Sequence, residues 1–516
     1  MRISKEKIYF IGVFIAFLLI RYMAAIIYPS FPAWDPWSYY GNLLSVLKYR
    51  RNPAYNLSSY YMTGIVYVLS SITEATNLNP FDAVKWLSQL IYSILIVPSL
   101  YLIGKNFSNS KKAGLIMILL FGISDIGVLR ESYTIAEGLA IPFSVIAIYS
   151  LIKYFEKGKK IDALLIILTL VSLLFIHHLT MFIIFFVIIA TLATVTFIKK
   201  VQRKRVFVVI SILLIVSLIA LFSEAHLYIE VESYHRLSTF IDSLYYNQTK
   251  TIYGAMIQKY SAVPKSYTTL VLHHISTLIT LLFAFIGFLQ IAIKKTRKIN
   301  EIVLFIWLFI TTTFFIVSVL SDYLFGWLFD FYGFRAWIYA LVPASIFASK
   351  ILYKLSNIHV IILPLIIGIS AIGTSMFIVY QFDTMNYHHY ERYTSDWLYY
   401  KIEANILVLS PSSFRPSNPL RLVSNGSRSD THNVEFFSCN YTYIKEILDD
   451  KNYTAIYVMS SERSTEKPFY TSYLTVCYKA FDSNLFNRIY DSKNAWIWKH
   501  KINQSTLNAT LEASGG

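Results

Sequence analysis

Residues 358–380 read IHVIILPLIIGISAIGTSMFIVY, a run with one histidine and no Asp, Glu, Lys or Arg. A helix needs roughly 20 mostly apolar residues to cross a hydrocarbon core of about 30 Å, and this run supplies them. Earlier runs of the same character lie near 8–28, 84–104, 113–129, 137–155, 161–177, 179–198, 206–223, 268–293, 301–320 and 334–350, which gives about 11 spanning helices. The whole chain of 516 residues is 55% hydrophobic and 17% aromatic but only 15% charged, a balance that excludes an ordinary soluble protein. The first run is too long for a cleaved signal peptide and no small-residue cleavage site follows it, so it reads as a retained helix. The expected architecture is an α-helical polytopic membrane protein.

A formal net charge of +16 raises the question of nucleic acid. The cations, however, fall in short clusters between apolar runs instead of along one soluble face, so no nucleic-acid partner is expected. Cytoplasmic loops collect Lys and Arg, and the clusters alternate as that rule requires. Arg2, Lys5 and Lys7 put the N-terminus inside. Lys105, Lys111 and Lys112 come next, then Lys153 to Lys160, Lys199 to Arg205, Lys294 to Lys298, and Lys350 with Lys354. A secondary reading has some of these cations meeting the phosphates of anionic membrane lipids. An odd number of spans leaves the C-terminus on the extracytoplasmic side of a multi-pass protein of the plasma membrane. The apolar piece 60–72 would break the alternation, and it reads as an interfacial or re-entrant helix.

This map gives a transmembrane domain over 1–380 with external loops 29–83 and 224–268, an extracytoplasmic α/β domain over 381–510, and a tail over 511–516. Strand-like pieces at 405–409, 454–459 and 495–499, separated by polar turns, support the small α/β domain. Cys439 and Cys477 both lie in it, where an oxidising compartment would pair them; two buried thiols is the alternative. Asn-x-Ser/Thr triplets begin at Asn56, Asn247, Asn425, Asn440, Asn452, Asn503 and Asn508, all external on this map, and at Asn106, which is not.

Chemistry-bearing residues collect on the external side. Asp35, in Trp34-Asp35-Pro36-Trp37-Ser38-Tyr39-Tyr40, follows the first helix; it is either a base or a helix N-cap ahead of proline. Arg130, Glu131 and Glu137 share the short loop between the third and fourth spans. A charge at that boundary is paired or functional, or a helix-dipole contact. Arg335 opens the tenth span. Its forked guanidinium suits two oxygens of a lipid-linked phosphate at headgroup depth, and snorkelling to the interface is the bland alternative. His177 and His178 mark the outer turn between the fifth and sixth spans, as a polar turn or as substrate contacts. Arg21, inside the first helix, needs a buried or lipid-phosphate partner. The chain has no Gly-x-x-x-x-Gly-Lys loop, dinucleotide turn, His-Glu-x-x-His or Cys-x-x-Cys, which argues against an ATP-driven pump or a zinc protease.

Taken in order, these stretches resemble the GT-C superfamily of polyprenyl-phosphate-dependent glycosyltransferases, most of all the branch with the archaeal and eukaryotic oligosaccharyltransferase catalytic subunits. Asp35-Pro36-Trp37 with Tyr39-Tyr40 is similar to the Asp-Pro-aromatic motif of that family's first external loop. Residues 130–143 resemble its second external loop, with Glu137 in the acidic position, and Arg335, Tyr339 and Pro343 resemble its Arg-x-x-x-Tyr-x-x-x-Pro helix. The resemblance implies a transferase that moves a sugar from a dolichyl or other polyprenyl phosphate to a glycan, lipid or protein. In that reading Asp35 is the base, Glu131 and Glu137 orient the acceptor, and Arg335 with Arg21 meets the donor phosphate. Arg130, His177, His178, Tyr39 and Tyr339 become substrate-contact candidates. If a divalent cation such as Mn or Mg takes part, Asp35 and Glu137 are its implied ligands. The Trp-Trp-Asp-Tyr-Gly motif with which oligosaccharyltransferases bind their acceptor is absent, which counts against a peptide sequon. A transporter or flippase of lipid-linked glycan is the alternative, and a membrane scaffold for the C-terminal domain is a third reading.

Overall fold

A computed structural model describes residues 5–27, 35–49, 63–125, 128, 135–198, 200–222, 272, 274–325, 333–385 and five strand segments between 406 and 500. The helices are α1 Lys5–Ile27, α2 Asp35–Tyr49, α3 Thr63–Thr76, α4 Pro80–Ser108, α5 Lys111–Gly122, α6 Ile135–Lys157, α7 Lys160–Ile176, α8 His178–Phe197, α9 Arg203–Phe222, α10 Ile275–Ala292, α11 Ile299–Phe325, α12 Gly333–Ile358 and α13 Ile362–Met385. Each apolar run in the sequence is matched by a helix. Among the described residues, seven helices are long and apolar enough to cross a membrane. Helix α3 rises only about 21 Å, less than a hydrocarbon core, in keeping with a segment that does not span.

The chain divides into two compact units. One holds Met1–Ile27, Asn56–Ile65 and Lys85–Thr384; the other holds Tyr28–Tyr55, Val66–Val84 and Met385–Gly516. In the first, α6 and α12 are the inner helices: 78% of each apolar window is buried, against 28% for α9. Helix α12 packs on α4, α5, α10 and α11, and α6 on α4, α7, α8 and α11. Trp307, Phe347, Phe155 and Phe121 are among the largest fully buried side chains. Lipid tails offer no hydrophobic drive for one helix to leave them for another, so close backbone approach has to hold the bundle. At Gly114 of α5 a Cβ would sit 2.7 Å from the Tyr101 carbonyl oxygen of α4. Only glycine fits there. At the other end of α4, the Tyr22 hydroxyl of α1 donates to the Trp86 carbonyl at 3.0 Å.

Polar contacts at the helix ends show that the basic loops share one end of this unit. Lys111 pairs with Glu6, and Lys112 donates to Asn357 at 3.3 Å. Lys153 donates to Asn106 at 2.6 Å, and Lys200 to the Arg297 carbonyl at 3.1 Å. Glu301, almost fully buried, accepts from Lys294 at 2.6 Å and from Lys350 at 3.3 Å. These contacts join α1, α4, α5, α6, α11, α12 and the loop after α10 at the ends that charge alone places together. Asn106, the sequon that did not fit the external set, is at this same end.

In the second unit, Tyr40 of α2 meets Phe81 edge-on at 5.8 Å. Its five described strands are β1 Ile406–Pro411, β2 Asn433–Val434, β3 Ala455–Ser461, β4 Phe486–Asp491 and β5 Ala495–His500, in sheet order β2-β1-β3-β5-β4. Strand β1 runs parallel to β2 and β3, with Ile406 opposite Ala455, while β3 and β4 each pair antiparallel with β5. The three expected strands are β1, β3 and β5; β2 and β4 are additions. Cys439 and Cys477 lie outside the described residues.

Replacing Gly114 by valine should destabilise the helical unit by about 1–3 kcal/mol, because the added carbons meet rigid backbone. Thermal unfolding in detergent reads this, and an unchanged midpoint would show that α4 and α5 do not touch there.

Candidate active site

Glu137, in the first turn of α6, is fully buried. Its carboxylate Oε1 accepts from the Tyr339 hydroxyl of α12 at 3.4 Å. That hydroxyl also bonds to the Thr180 hydroxyl and lies 3.4 Å from His177 Nδ1. The four side chains are at most 4% exposed, and they come from positions 137, 177, 180 and 339. Three of them, Glu137, His177 and Tyr339, were singled out in the sequence; the structure brings them together.

His177 is held by the backbone around it. Its φ of −160° and ψ of 100° are extended, so it ends α7 and begins α8 in a single residue. Its N–H donates to the Leu173 carbonyl at 2.9 Å. Its Nδ1 accepts from the Thr180 N–H at 3.3 Å, the bond an N-cap makes, and lies 2.8 Å from the Thr180 hydroxyl. Accepting from a backbone N–H requires a lone pair on Nδ1, which in the neutral ring puts the hydrogen on Nε2. His177 is thus a polar turn and a member of the cluster at once. His178 is the first residue of α8, and its side chain lies outside the described set.

A second buried polar centre was missed. The sequence runs the third span to 129, but α5 stops at Gly122. Beyond it Asp125, fully buried, turns to the start of α10. Its Oδ1 accepts from the Ser276 hydroxyl at 2.6 Å and the Thr277 hydroxyl at 2.5 Å, and its Oδ2 meets His274 Nδ1 at 2.6 Å. The Asp125 N–H donates to Ser276 Oγ at 3.1 Å. Thr374 of α13 donates to the Ile123 carbonyl. The break after Gly122 lets this carboxylate reach donors at the start of α10. Close approach is needed here too, since a Cβ on Gly373 would meet Ile275 Cγ2 at 2.3 Å. With the carboxylate Oδ2 as acceptor, His274 Nδ1 is the nitrogen that carries the hydrogen of this contact. The side chain of His274 is 36% exposed, unlike Asp125 behind it. The signal was available: an aspartate inside a predicted span is as costly as Arg21, the residue to which that reasoning was applied.

Arg21 is 1% exposed. Its Nη2 donates to the Phe121 carbonyl at 3.3 Å, and the guanidinium lies 4.7 Å from the Phe17 ring centre and 5.8 Å from that of Phe121. It ties α1 to the end of α5. Asp35 is the first residue of α2, so a helix does begin there; its side chain, and those of Glu131, Arg130 and Arg335, lie outside the described residues. Arg335 precedes Tyr339 by four positions on α12, the spacing of one helix face. Tyr39 is buried in α2, in the other unit. Among the described residues no three His, Cys, Asp or Glu side chains group to hold a cation.

Substituting Asp125 by alanine leaves Ser276, Thr277 and His274 without their shared acceptor, and should cost on the order of 3 kcal/mol. Combined with His274→Ala, the loss should fall short of the sum of the two single effects. A double-mutant cycle by detergent unfolding measures this, and strict additivity would deny the coupling.

No protein-family model matches the chain, and no curated protein matches it in sequence. Among solved structures, the mycobacterial arabinofuranosyltransferase AftD aligns with 98% of this chain at a TM-score of 0.51 and 11% identity; the chain spans 40% of AftD. Two structures of ArnT from Cupriavidus metallidurans, one bound to undecaprenyl phosphate and one in the apo state, align with 95% of this chain and 97% of their own at 10% identity, with TM-scores of 0.47 and 0.46. At these identities the likeness is one of fold, and the AftD alignment carries it: the chain shares the fold of that structure over nearly its whole length, in keeping with the polytopic helical architecture expected from its sequence.

Proposed function

We propose that this protein is a membrane glycosyltransferase that moves a sugar from a dolichyl or other polyprenyl phosphate to a glycan, lipid or protein acceptor on the extracytoplasmic side. A shared fold does not by itself give an activity. The observation that carries the reading is the convergence of Glu137, His177, Thr180 and Tyr339 at the end of the helical unit opposite the basic loops. Glu137 lies about 24 Å along α6 from Lys153, and cytoplasmic placement of the basic end makes the acidic end extracytoplasmic.

In this reading the acceptor hydroxyl attacks the anomeric carbon as the bond from that carbon to the phosphate oxygen breaks, with inversion. Asp35 takes the hydroxyl proton, and the electron pair of the broken bond stays on the departing phosphate, where Arg335 meets it. Glu137 and Glu131 orient the acceptor, with Tyr339 holding the Glu137 carboxylate in place. Arg21, whose guanidinium is packed on Phe17 and Phe121, we assign to fixing α1. Divalent Mn or Mg would lend Lewis-acid assistance at the phosphate.

Purified protein should release sugar from polyprenyl-phosphate donors to an acceptor extract. Asp35→Asn should lower kcat about 10²- to 10⁴-fold, and Arg335→Ala should weaken use of the donor. Tyr339→Phe, which keeps the ring and removes the hydroxyl, should lower turnover while the protein stays folded. Normal turnover in folded Asp35→Asn protein would remove that residue as the base. Translocation of lipid-linked glycan with no sugar release from any donor would favour the transporter reading instead.

A further inference from the structure

Helix α4 carries an exposed apolar stripe that leads into a basic pocket. Leu90, Ile94, Pro98 and Leu102 recur every fourth residue, and all four are exposed. Spacing by four keeps them on one face. From Leu90 to Leu102 the stripe rises about 18 Å, slightly more than half of a hydrocarbon core of about 30 Å. That is the depth of one leaflet. The next turn enters a pocket of about 450 Å³ between α4, α5 and α6, whose lining includes Leu102, Asn109, Lys105, Lys111, Lys153 and Lys157.

No carboxylate lines this pocket. Three acids lie near its margin: Glu6 pairs with Lys111, accepts from Tyr101 at 2.9 Å and feels Lys105 at longer range, Glu156 pairs with Lys153 at 3.1 Å, and Asp162 acts on the lining Tyr149 at longer range. Among the described residues neither Lys105 nor Lys157 makes an ion pair. Lys105 sits 5.7 Å from the Tyr101 ring centre, and Lys153 is fixed by the Asn106 side chain at 2.6 Å. Clustered ammonium groups repel one another unless an anion is shared among them. The positive-inside rule alone asks for cations in these loops. It does not ask that four of them surround one cavity, or that an apolar stripe one leaflet long should end there.

We infer that this pocket and stripe form a binding site for an anionic phospholipid of the leaflet at the basic end, its phosphate among Lys105, Lys153 and Lys157 and one chain along Leu102, Pro98, Ile94 and Leu90. The site is distinct from the Glu137 cluster, at the other end of the same unit, and does not depend on what that cluster catalyses. A free phosphate would satisfy the lysines but has no use for the stripe, which is why the occupant is a lipid.

The test uses the full chain, reconstituted in phosphatidylcholine vesicles with a minor share of phosphatidylglycerol, and native mass spectrometry to count retained lipids. The parent should retain phosphatidylglycerol over phosphatidylcholine. Lys105→Gln with Lys157→Gln should lower that preference about fivefold for each lysine removed, with an unchanged melting temperature, since neither residue is in an ion pair. Ile94→Gln should lower it with every lysine kept. Equal retention of the two lipids by the parent, or an undiminished preference in the double lysine variant, would overturn the proposal. Full displacement of phosphatidylglycerol by inorganic phosphate, with no effect of Ile94→Gln, would show an anion site without lipid recognition and would also overturn it.

Discussion

A carboxylate at membrane depth costs several kcal/mol unless donors surround it, and among the described residues this helical unit buries two, Asp125 and Glu137, besides Glu301 among the lysines of the basic end. Each is met by side chains from other helices. Asp125 draws on His274, Ser276 and Thr277 of the α10 start. Glu137 draws on Tyr339 of α12, which in turn touches Thr180 of α8. Helices α5, α6, α8, α10 and α12 are thereby fixed against one another near one end of the bundle. The rest of the packing follows from that requirement, because apolar faces alone give helices in lipid little reason to choose one neighbour over another.

The two ends of the unit are solved by opposite means. At the basic end ammonium groups outnumber carboxylates and are spread over loop carbonyls, amide side chains and the few acids present, as with Lys200 on Arg297 and Lys112 on Asn357. At the other end the described carboxylates, Asp125 and Glu137, are deeply buried and held largely by hydroxyls. Exposed, numerous cations suit anchoring to an aqueous, anionic surface. Buried carboxylates with fixed donors suit a site where geometry has to be kept while a substrate is bound. This asymmetry is more informative about function than the fold, since polytopic helix bundles serve transporters and scaffolds as well as enzymes.

The helices were legible in the sequence because hydrocarbon demands about 20 apolar residues at a stretch, and the alternation of Lys and Arg placed their ends. Glu137, His177 and Arg21 were legible as polar residues out of place and Tyr339 through the family resemblance, but their grouping was not: positions 137, 177 and 339 meet only through helix packing. Asp125 was overlooked because it sits inside a run apolar enough to hide it, with Ile123 before it and Ile126, Gly127 and Val128 after it. His274 was overlooked inside a span read as 268–293, whereas the helix begins one residue after it, at Ile275. Strand β4, Phe486–Asp491, escaped because Asn487, Arg488 and Asp491 dilute its apolar signal, whereas β1 and β3 are nearly continuous apolar runs. A strand paired on one side only can carry such residues on its open edge, and β4 is an edge strand.

The depth of the Glu137 cluster bears on which kind of membrane protein this is. Helix α7 begins at Lys160, at the basic end, and reaches His177 after about 26 Å; α6 covers about 30 Å between Glu137 and Lys157. Both distances approach the full thickness of the hydrocarbon core, so with the lysines at one interface Glu137 and His177 stand close to the other. Alternating-access carriers place their substrate near the midplane, between helices broken at that depth, so that either side can reach it. Here α6 and α8 run unbroken away from the cluster. A centre that lies near one interface can be reached from only one side, at the depth where a lipid-linked phosphate resides. That geometry fits a reaction completed on one face of the membrane better than the passage of a substrate across it.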